Sequence, residues 1–239
     1  MISVCIATYN GEKYIKEQIQ SILKQLDKND EIVVSDDNST DKTIEILKAI
    51  NDTRIKFFKN SVKGYVSNFE NALKNASGDI IFLSDQDDIW KENKVEVTLD
   101  YLKTYDFVVS DCEIIDVDGR IISNSFFKNR RISKTIIGNV VKFGFLGCCI
   151  AFKKNVLTKA LPFPKNRRYC THDNWLFLVG SIFYKYKVID ERLIFYRRHI
   201  NNTSTGGMIN NNSLRFMISY RLYLLFNIFY LFINSRNKK

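Results

Sequence analysis

Two short stretches concentrate carboxylates: Ser35-Asp36-Asp37-Asn38-Ser39-Thr40-Asp41 and Ser84-Asp85-Gln86-Asp87-Asp88. In the second, three acidic groups fall within four residues and repel one another unless a cation lies among them. Mg²⁺ and Mn²⁺ take hard oxygen ligands. Mg²⁺ is commonly held by one or two carboxylates, which leaves its other positions for water and substrate phosphates. An Asp-x-Asp at the tip of a buried strand supplies that arrangement. Helix N-capping by Asp and Ser explains many such clusters, but not why carboxylates gather at two separate strand ends. A third polar stretch, Thr8-Tyr9-Asn10, closes the first apolar run. There is no GxxxxGK[ST] loop and no GxGxxG after the first strand, which argues against a P-loop enzyme and a dinucleotide dehydrogenase.

The elements that must carry these residues follow from periodicity. ISVCIAT (2–8), EIVVSDD (31–37), RIKFF (54–58), DIIFLSD (79–85) and DFVVSD (106–111) read as strands. Between them Ile15, Ile19, Ile22 and Leu26 form one apolar helical stripe, as do Ile44, Leu47 and Ile50, then Val66, Phe69, Leu73 and Ala76, then Val95, Leu99 and Leu102. Strand–helix alternation over the first 110 residues or so predicts an α/β fold with a mostly parallel central sheet flanked by helices. In such sheets ligands bind beyond the carboxyl ends of the strands, where all three polar stretches fall. The second half is less regular. Asp118-Gly119 signals a hairpin, CCIAF (148–152) and LIFYRRH (193–199) read as strands, and 172–184 as a helix.

The 239 residues are 45% hydrophobic and 26% charged, which excludes a disordered, collagenous or coiled-coil chain. The formal charge is +10, yet after Glu191 there is no acidic residue and eight basic ones, so residues 1–191 carry only +2. A basic tail points to an anionic partner such as phosphate or membrane headgroups. The five cysteines are odd in number and form no CxxC pair. They predict buried thiols in a reducing compartment, not a disulfide frame or zinc site. An apolar strand beginning at residue 2, without a basic leader, predicts a cytoplasmic location.

IATYNGEKYIKEQIQSIL, IVVSDDNSTDKT, GDIIFLSDQDDIW and THDNW, in this order, resemble glycosyltransferase family 2. SDQDDIW and YRRHINN are most similar to its bacterial rhamnosyltransferase-like branch. The resemblance covers about residues 1–205. It implies a GT-A fold, a nucleotide-diphospho-sugar donor and a Mn²⁺ or Mg²⁺ cofactor, with a nucleotide-binding half over 1–112 and an acceptor half over 113–205. Carried over by motif, Thr8, Tyr9 and Asn10 flank the nucleotide, Asp36 binds base and ribose with Asp37 beside it, and Asp85 lies near the ribose. Asp87 is the direct metal ligand, with Asp85 and His199 as further ligands. Arg197 and Arg198 form a diphosphate clamp. Asp173 matches the catalytic base, although His-Asp stands here where many members have Glu-Asp. Asn68, Asp88, Gly147, His172 and Trp175 are candidate donor or acceptor contacts. Asp88 alternatively caps the next helix, and Trp90 and Trp175 alternatively serve packing. The implied reaction is a single inverting displacement with oxocarbenium character.

The polar stretch 201–213 reads as a mobile loop that closes over bound donor. Residues 214–233 are apolar almost all round, but the clean run Leu222–Ile233 has only twelve residues, against about 20 for a membrane span. The tail therefore predicts a helix docked on the domain or lying in a membrane interface. The donor reads as dTDP-rhamnose or a UDP-hexose, and the acceptor as a hydroxyl of a growing surface glycan or lipid-linked saccharide. Competing readings are a sugar-nucleotide nucleotidyltransferase, though TYNGEKY lacks a glycine-rich basic loop, and a non-catalytic nucleotide-sugar-binding relic. Nucleic-acid binding is disfavoured, because the basic residues merge with an apolar helix instead of interleaving with aromatics on an exposed face.

Overall fold

The computed structural model describes residues 1–199, 202 and 213–236. Its elements are β1 (Ile2–Thr8), α1 (Ile15–Leu23), β2 (Glu31–Asp36), α2 (Thr43–Ala49), β3 (Ile55–Lys59), α3 (Tyr65–Lys74), β4 (Ile80–Ser84), β5 (Ile89–Trp90) and α4 (Lys94–Thr104). There follow β6 (Phe107–Ile115), β7 (Ile121–Ser123), α5 (Phe126–Arg130), α6 (Ile136–Val141), β8 (Ile150–Lys153), α7 (Leu157–Ala160), α8 (His172–Phe183), β9 (Tyr186–Arg197) and α9 (Leu214–Arg236).

One sheet runs in the order β3-β2-β1-β4-β8-β6-β9-β5, with β7 paired to β6. The first half is parallel, as the alternation predicts. In register, Thr8 lies beside Asp36 and Ile6 beside Ser84, so the carboxyl ends of β1, β2 and β4 open on the same edge. The second half is mixed. β8 is antiparallel to both β4 and β6, and β9 is parallel to β6 but antiparallel to β5. The β5 pairing was not legible in advance and matters most. It sets Ile89 against Phe195 and Trp90 against Ile194, which carries the end of β9 back to the carboxylates just before β5.

The strands are apolar on both faces because helices cover both. Ile15, Ile19 and Ile22 of α1 and Val66, Phe69 and Leu73 of α3 are buried against them. The predicted hairpin is β6–β7, with Gly119 at φ +83 in its turn. Cys148 and Cys149 lie in a 3₁₀ turn before β8, not in the strand, and β9 begins at Tyr186, earlier than predicted. All five cysteines are free and buried.

α9 is the apolar C-terminal helix that the tail predicts. It is 23 residues long, and Leu214–Asn234 is long and apolar enough to cross a membrane by length and composition. Arg221 no longer interrupts it, because its guanidinium turns back onto the carbonyls of Val140 (2.9 Å) and Val141. Leu224 and Ile228 are buried, and the Tyr223 hydroxyl accepts from the Asn166 N–H at 2.9 Å, so one face docks on the domain. Leu222, Phe226 and Phe229 are exposed on the rest.

Candidate active site

A cleft of about 940 Å³ lies beyond the carboxyl ends of β1, β2 and β4. It brings together eleven of the residues singled out in the sequence: Thr8, Tyr9, Asn10, Asp37, Asn68, Asp85, Asp87, Gly147, His172, Asp173 and His199. Asp36, Asp88, Trp175, Arg197 and Arg198 are not among its walls.

Asp36 and Asp37 exchange their expected places. Asp36 ends β2, and its Oδ1 accepts from the hydroxyls of Thr8 (2.9 Å) and Ser39 (2.5 Å) while Oδ2 accepts from Ser39 N–H (2.8 Å). Its carboxylate is thus spent on fixing the β2–α2 loop. Asp37 N–H donates to Thr8 O (2.9 Å), which turns the Asp37 side chain the other way, into the cleft. There its oxygens accept from Asn60 Nδ2 (2.9 Å) and Gly64 N–H (2.8 Å). Gly64, at φ +122, takes a backbone conformation that disfavours L side chains.

The carboxylates after β4 divide in the same way. The Asp87 Oδ2 lies 2.7 Å from His199 Nε2 and 3.2 Å from Asn202 Nδ2. Burial and the neighbouring Asp87 and Asp173 charges push Asp85 up to about 8. Such crowding favours a cation. Asp88, 1% exposed, lies behind the cleft wall; its Oδ1 accepts from Arg197 N–H at 3.0 Å. It neither caps α4, which begins six residues later, nor faces the cleft; it ties β9 to the end of β4. Ligand atoms of Asp85, Asp88 and Cys148 lie within 4.8 Å of one another, and Asp88 Oδ2 has no hydrogen-bond partner. Asp87 and His199 pair in the cleft wall and Asp85 and Asp88 gather beside Cys148; carboxylate oxygens and an imidazole nitrogen are donor types that Mg²⁺ or Mn²⁺ accepts.

The arginine clamp is not supported. Arg197 is 3% exposed and its guanidinium is consumed internally. It donates to Asp87 O (3.0 Å), Glu17 Oε2 (2.7 Å), Asp116 O (3.4 Å) and Val117 O (3.3 Å). Arg198 leans on Tyr196, donating to its hydroxyl at 3.2 Å. Arg197, the last residue of β9, is turned into the interior, while Arg198 is half-buried beside Tyr196, which lines the cleft. The cations that do line it are Lys13 and Lys63. Lys13 follows Asn10-Gly11 and Lys63 precedes Gly64, and both are exposed. Gln86 was missed too: its side-chain amide pairs with both Tyr9 N–H (2.9 Å) and Tyr9 O (3.0 Å), splinting the β1 loop to the β4 loop.

Asp173 stands in the first turn of α8, across the cleft. Thr171 Oγ1 and Asn174 N–H (2.8 Å) both donate to its Oδ1. That fixes the carboxylate and leaves Oδ2 lone pairs for a proton. Trp175 packs in the core, with Nε1 donating to Ala160 O at 2.8 Å. Trp90 is buried as well. The 201–213 loop expectation lies almost wholly outside the described residues.

The family model for glycosyl transferase family 2 matches residues 3–161, two thirds of the chain. The chain belongs to that family. It is 32% identical over 167 residues to the Escherichia coli UDP-Glc:alpha-D-GlcNAc-diphosphoundecaprenol beta-1,3-glucosyltransferase WfgD, covering 69% of this chain and 64% of that one. It is 29% identical over 212 residues to the Shigella flexneri dTDP-rhamnosyl transferase RfbG, covering 82% and 72%. Thus the chain spans under two thirds of WfgD. Among solved structures, S. aureus TarS 1-349 in complex with UDP-GlcNAc aligns with a TM-score of 0.71 at 20% identity, covering 95% of this chain and 66% of that one. The Pyrobaculum calidifontis mannosyltransferase PcManGT, in complex with GDP-Man and Mn²⁺, aligns at 0.58 and 20% identity, covering 85% and 58%. The fold is GT-A.

Proposed function

We propose that this chain transfers a sugar, with inversion and with a divalent metal ion, from a nucleotide-diphospho-sugar to a hydroxyl of a lipid-linked or growing surface glycan. One observation carries the reading: Asp37, the Asp85–Asp87–His199 group and Asp173 open onto a single cleft. In this reading residues 1–112 form the nucleotide-binding half and 113–205 the acceptor half. Thr8, Tyr9 and Asp37 receive the nucleoside, with Asp37 taking the base-binding part first expected of Asp36. Asp85 faces the ribose. Asp87, His199 and Asp85 would hold Mn²⁺ or Mg²⁺. When bound, the ion offsets charge gathering on the departing diphosphate. Lys13 and Lys63 supply the cationic rim for the same group, in place of Arg197 and Arg198.

Asp173 accepts the proton of the acceptor hydroxyl. That oxygen bonds to the anomeric carbon from the face opposite the diphosphate, and the anomeric C–O bond breaks with its electrons going to the diphosphate. The relatives' names favour dTDP-rhamnose or a UDP-hexose as donor. A lipid-linked acceptor also suits α9. Its exposed Leu222, Phe226 and Phe229, together with exposed Ile137 and Val141 of α6, form an apolar surface suited to peripheral contact with the cytoplasmic face of a membrane.

The test is calorimetric titration of UDP-glucose and dTDP-rhamnose into the full chain, with and without Mn²⁺. Binding strengthened by the ion and weakened in Asp37→Asn supports the reading. Wild-type protein that ignores both donors under both conditions overturns it. Flotation with anionic vesicles, with and without Leu222→Glu and Phe226→Glu, tests the membrane contact; equal flotation contradicts it.

A further inference from the structure

β9 ends at Arg197, so His199 lies two residues past the strand, with its own N–H given to Asn202 Oδ1 at 2.6 Å. A side chain beyond the ladder keeps rotamer freedom that is lost when it binds. The His199 ring is nonetheless held twice. Nε2 meets Asp87 Oδ2 at 2.7 Å, and the imidazole stacks on Tyr14 with centroids 5.2 Å apart and an interplanar angle of 28°.

Tyr14 is itself fixed. Its N–H donates to Gly11 O at 3.1 Å and its carbonyl accepts from Gln18 N–H at 3.1 Å, so the chain has already turned into α1. The Arg197 guanidinium carbon lies 4.7 Å from the Tyr14 ring centroid, a cation over an electron-rich ring. The first turn of α1 also braces the neighbouring chain segments. Glu17 Oε2 accepts from Arg197 at 2.7 Å, and Gln18 Nε2 donates to Asp85 O at 3.1 Å. The Tyr14 hydroxyl, by contrast, is buried without a hydrogen-bond partner. Buried hydroxyls that hold structure together are paired, so the ring is the working part of this residue.

We propose that Tyr14 is a positioning residue for the metal site: its ring holds the His199 imidazole in the orientation that presents it, beside Asp87, to the divalent ion. The inference rests on the metal-dependent transferase reading above. Tyr14 supplies no ligand atom and takes no proton; it acts through His199, as the outer partners of metal-binding histidines do. Fixing the ring before the ion arrives reduces the freedom lost on binding. Tyr14 also lines the cleft. A direct contact between its hydroxyl and the donor diphosphate is therefore the competing arrangement, and Tyr14→Phe separates the two.

The experiment measures Mn²⁺ affinity of the full chain by electron paramagnetic resonance, with UDP or dTDP present. The proteins are wild type, Tyr14→Phe, Tyr14→Leu, His199→Ala and the double variant Tyr14→Leu/His199→Ala. Tyr14→Leu weakens Mn²⁺ binding about threefold to tenfold, the worth of an aromatic pair expressed as affinity. Tyr14→Phe keeps the ring and stays within about twofold of wild type. In the His199→Ala background, Tyr14→Leu changes affinity by less than about twofold, because the imidazole it acts through is gone. A general packing defect would instead weaken binding alike in both backgrounds. Equal weakening in both backgrounds, unchanged affinity in Tyr14→Leu, or a loss in Tyr14→Phe as large as in Tyr14→Leu overturns the role and leaves the transferase reading intact. Wild-type protein that binds no Mn²⁺ removes the metal-dependent reading along with it.

Discussion

His199 Nε2 lies 2.7 Å from Asp87 Oδ2, although 112 positions separate the two in the chain. The β5–β9 pairing makes this contact, and Arg197 locks it by donating to Asp87 O at 3.0 Å while its own N–H meets Asp88 Oδ1 at 3.0 Å. The imidazole also stacks on Tyr14, with centroids 5.2 Å apart. The sheet thus brings together two side chains from distant parts of the chain.

Replacing either member should uncouple turnover from metal. His199→Ala and Asp87→Asn are expected to bind Mn²⁺ about tenfold or more weakly, the loss typical when a metal site's ligands or their supports are removed. Electron paramagnetic resonance of free Mn²⁺ measures this. Wild-type affinity in both variants would remove these residues from the ligand set.

Arg197 should behave as a structural residue. Buried with four acceptors, it leaves Glu17 and three carbonyls short when shortened. Arg197→Ala is expected to cost about 1–3 kcal/mol, the scale of leaving buried hydrogen-bond acceptors unsatisfied, since Glu17 itself is 57% exposed, read as a fall in chemical-denaturation midpoint. Arg198→Ala should cost less. If Arg197→Ala unfolds like wild type but loses affinity for diphosphate, the clamp role returns.

Much of this site was readable in the sequence, and the failures share a cause. The ends of β1 and β4 were legible because buried strands write continuous apolar runs, and Asp85 and Asp87 terminate one. Which of Asp36 and Asp37 faces the cleft was not, because a single backbone hydrogen bond to Thr8 decides it. Arg197 was misassigned because a basic pair at a strand end looks solvent-directed until Glu17 and Tyr14 of the β1–α1 region and the carbonyls of Asp87, Asp116 and Val117 enclose it. Lys94 was hidden for a similar reason. It precedes the apolar stripe of α4, yet it is buried with Nζ donating to Cys148 O at 3.3 Å and lying 4.9 Å from the Trp90 ring centroid. The tail helix was legible from its apolar run, but not how Arg221 fits within it, since its carbonyl partners Val140, Val141 and Met217 lie on α6 and α9.

Glu31 gives a pH signature apart from the cleft. Burial pushes its pKa up, but Lys56 Nζ (2.5 Å), Ser3 Oγ (2.5 Å) and Ser77 outweigh that and hold it below its ordinary value of 4.5. A depressed native pKa means stability fully present above the unfolded value and lost as pH falls through the native one. Wild-type thermal stability should therefore fall below about pH 4.5 more steeply than that of Glu31→Gln. Parallel curves for the two proteins would contradict this.

Gly147→Ala tests the fit around His172. The added methyl would meet Nε2 at 2.3 Å, so His172 must move. Because the ring is buried and stacked on Phe69, this overpacking should cost about 1–3 kcal/mol and lower the melting temperature; an unchanged melting temperature would show that the ring has room to spare.

The most direct measurement compares Asp173→Asn with wild type for both Mn²⁺-dependent donor binding and single-turnover transfer from UDP-glucose or dTDP-rhamnose to a polyprenyl-diphosphate saccharide. A general base contributes about 10²–10⁴-fold. The expected result is unchanged donor affinity with transfer slowed by at least that factor. Transfer at the wild-type rate in Asp173→Asn would contradict the account.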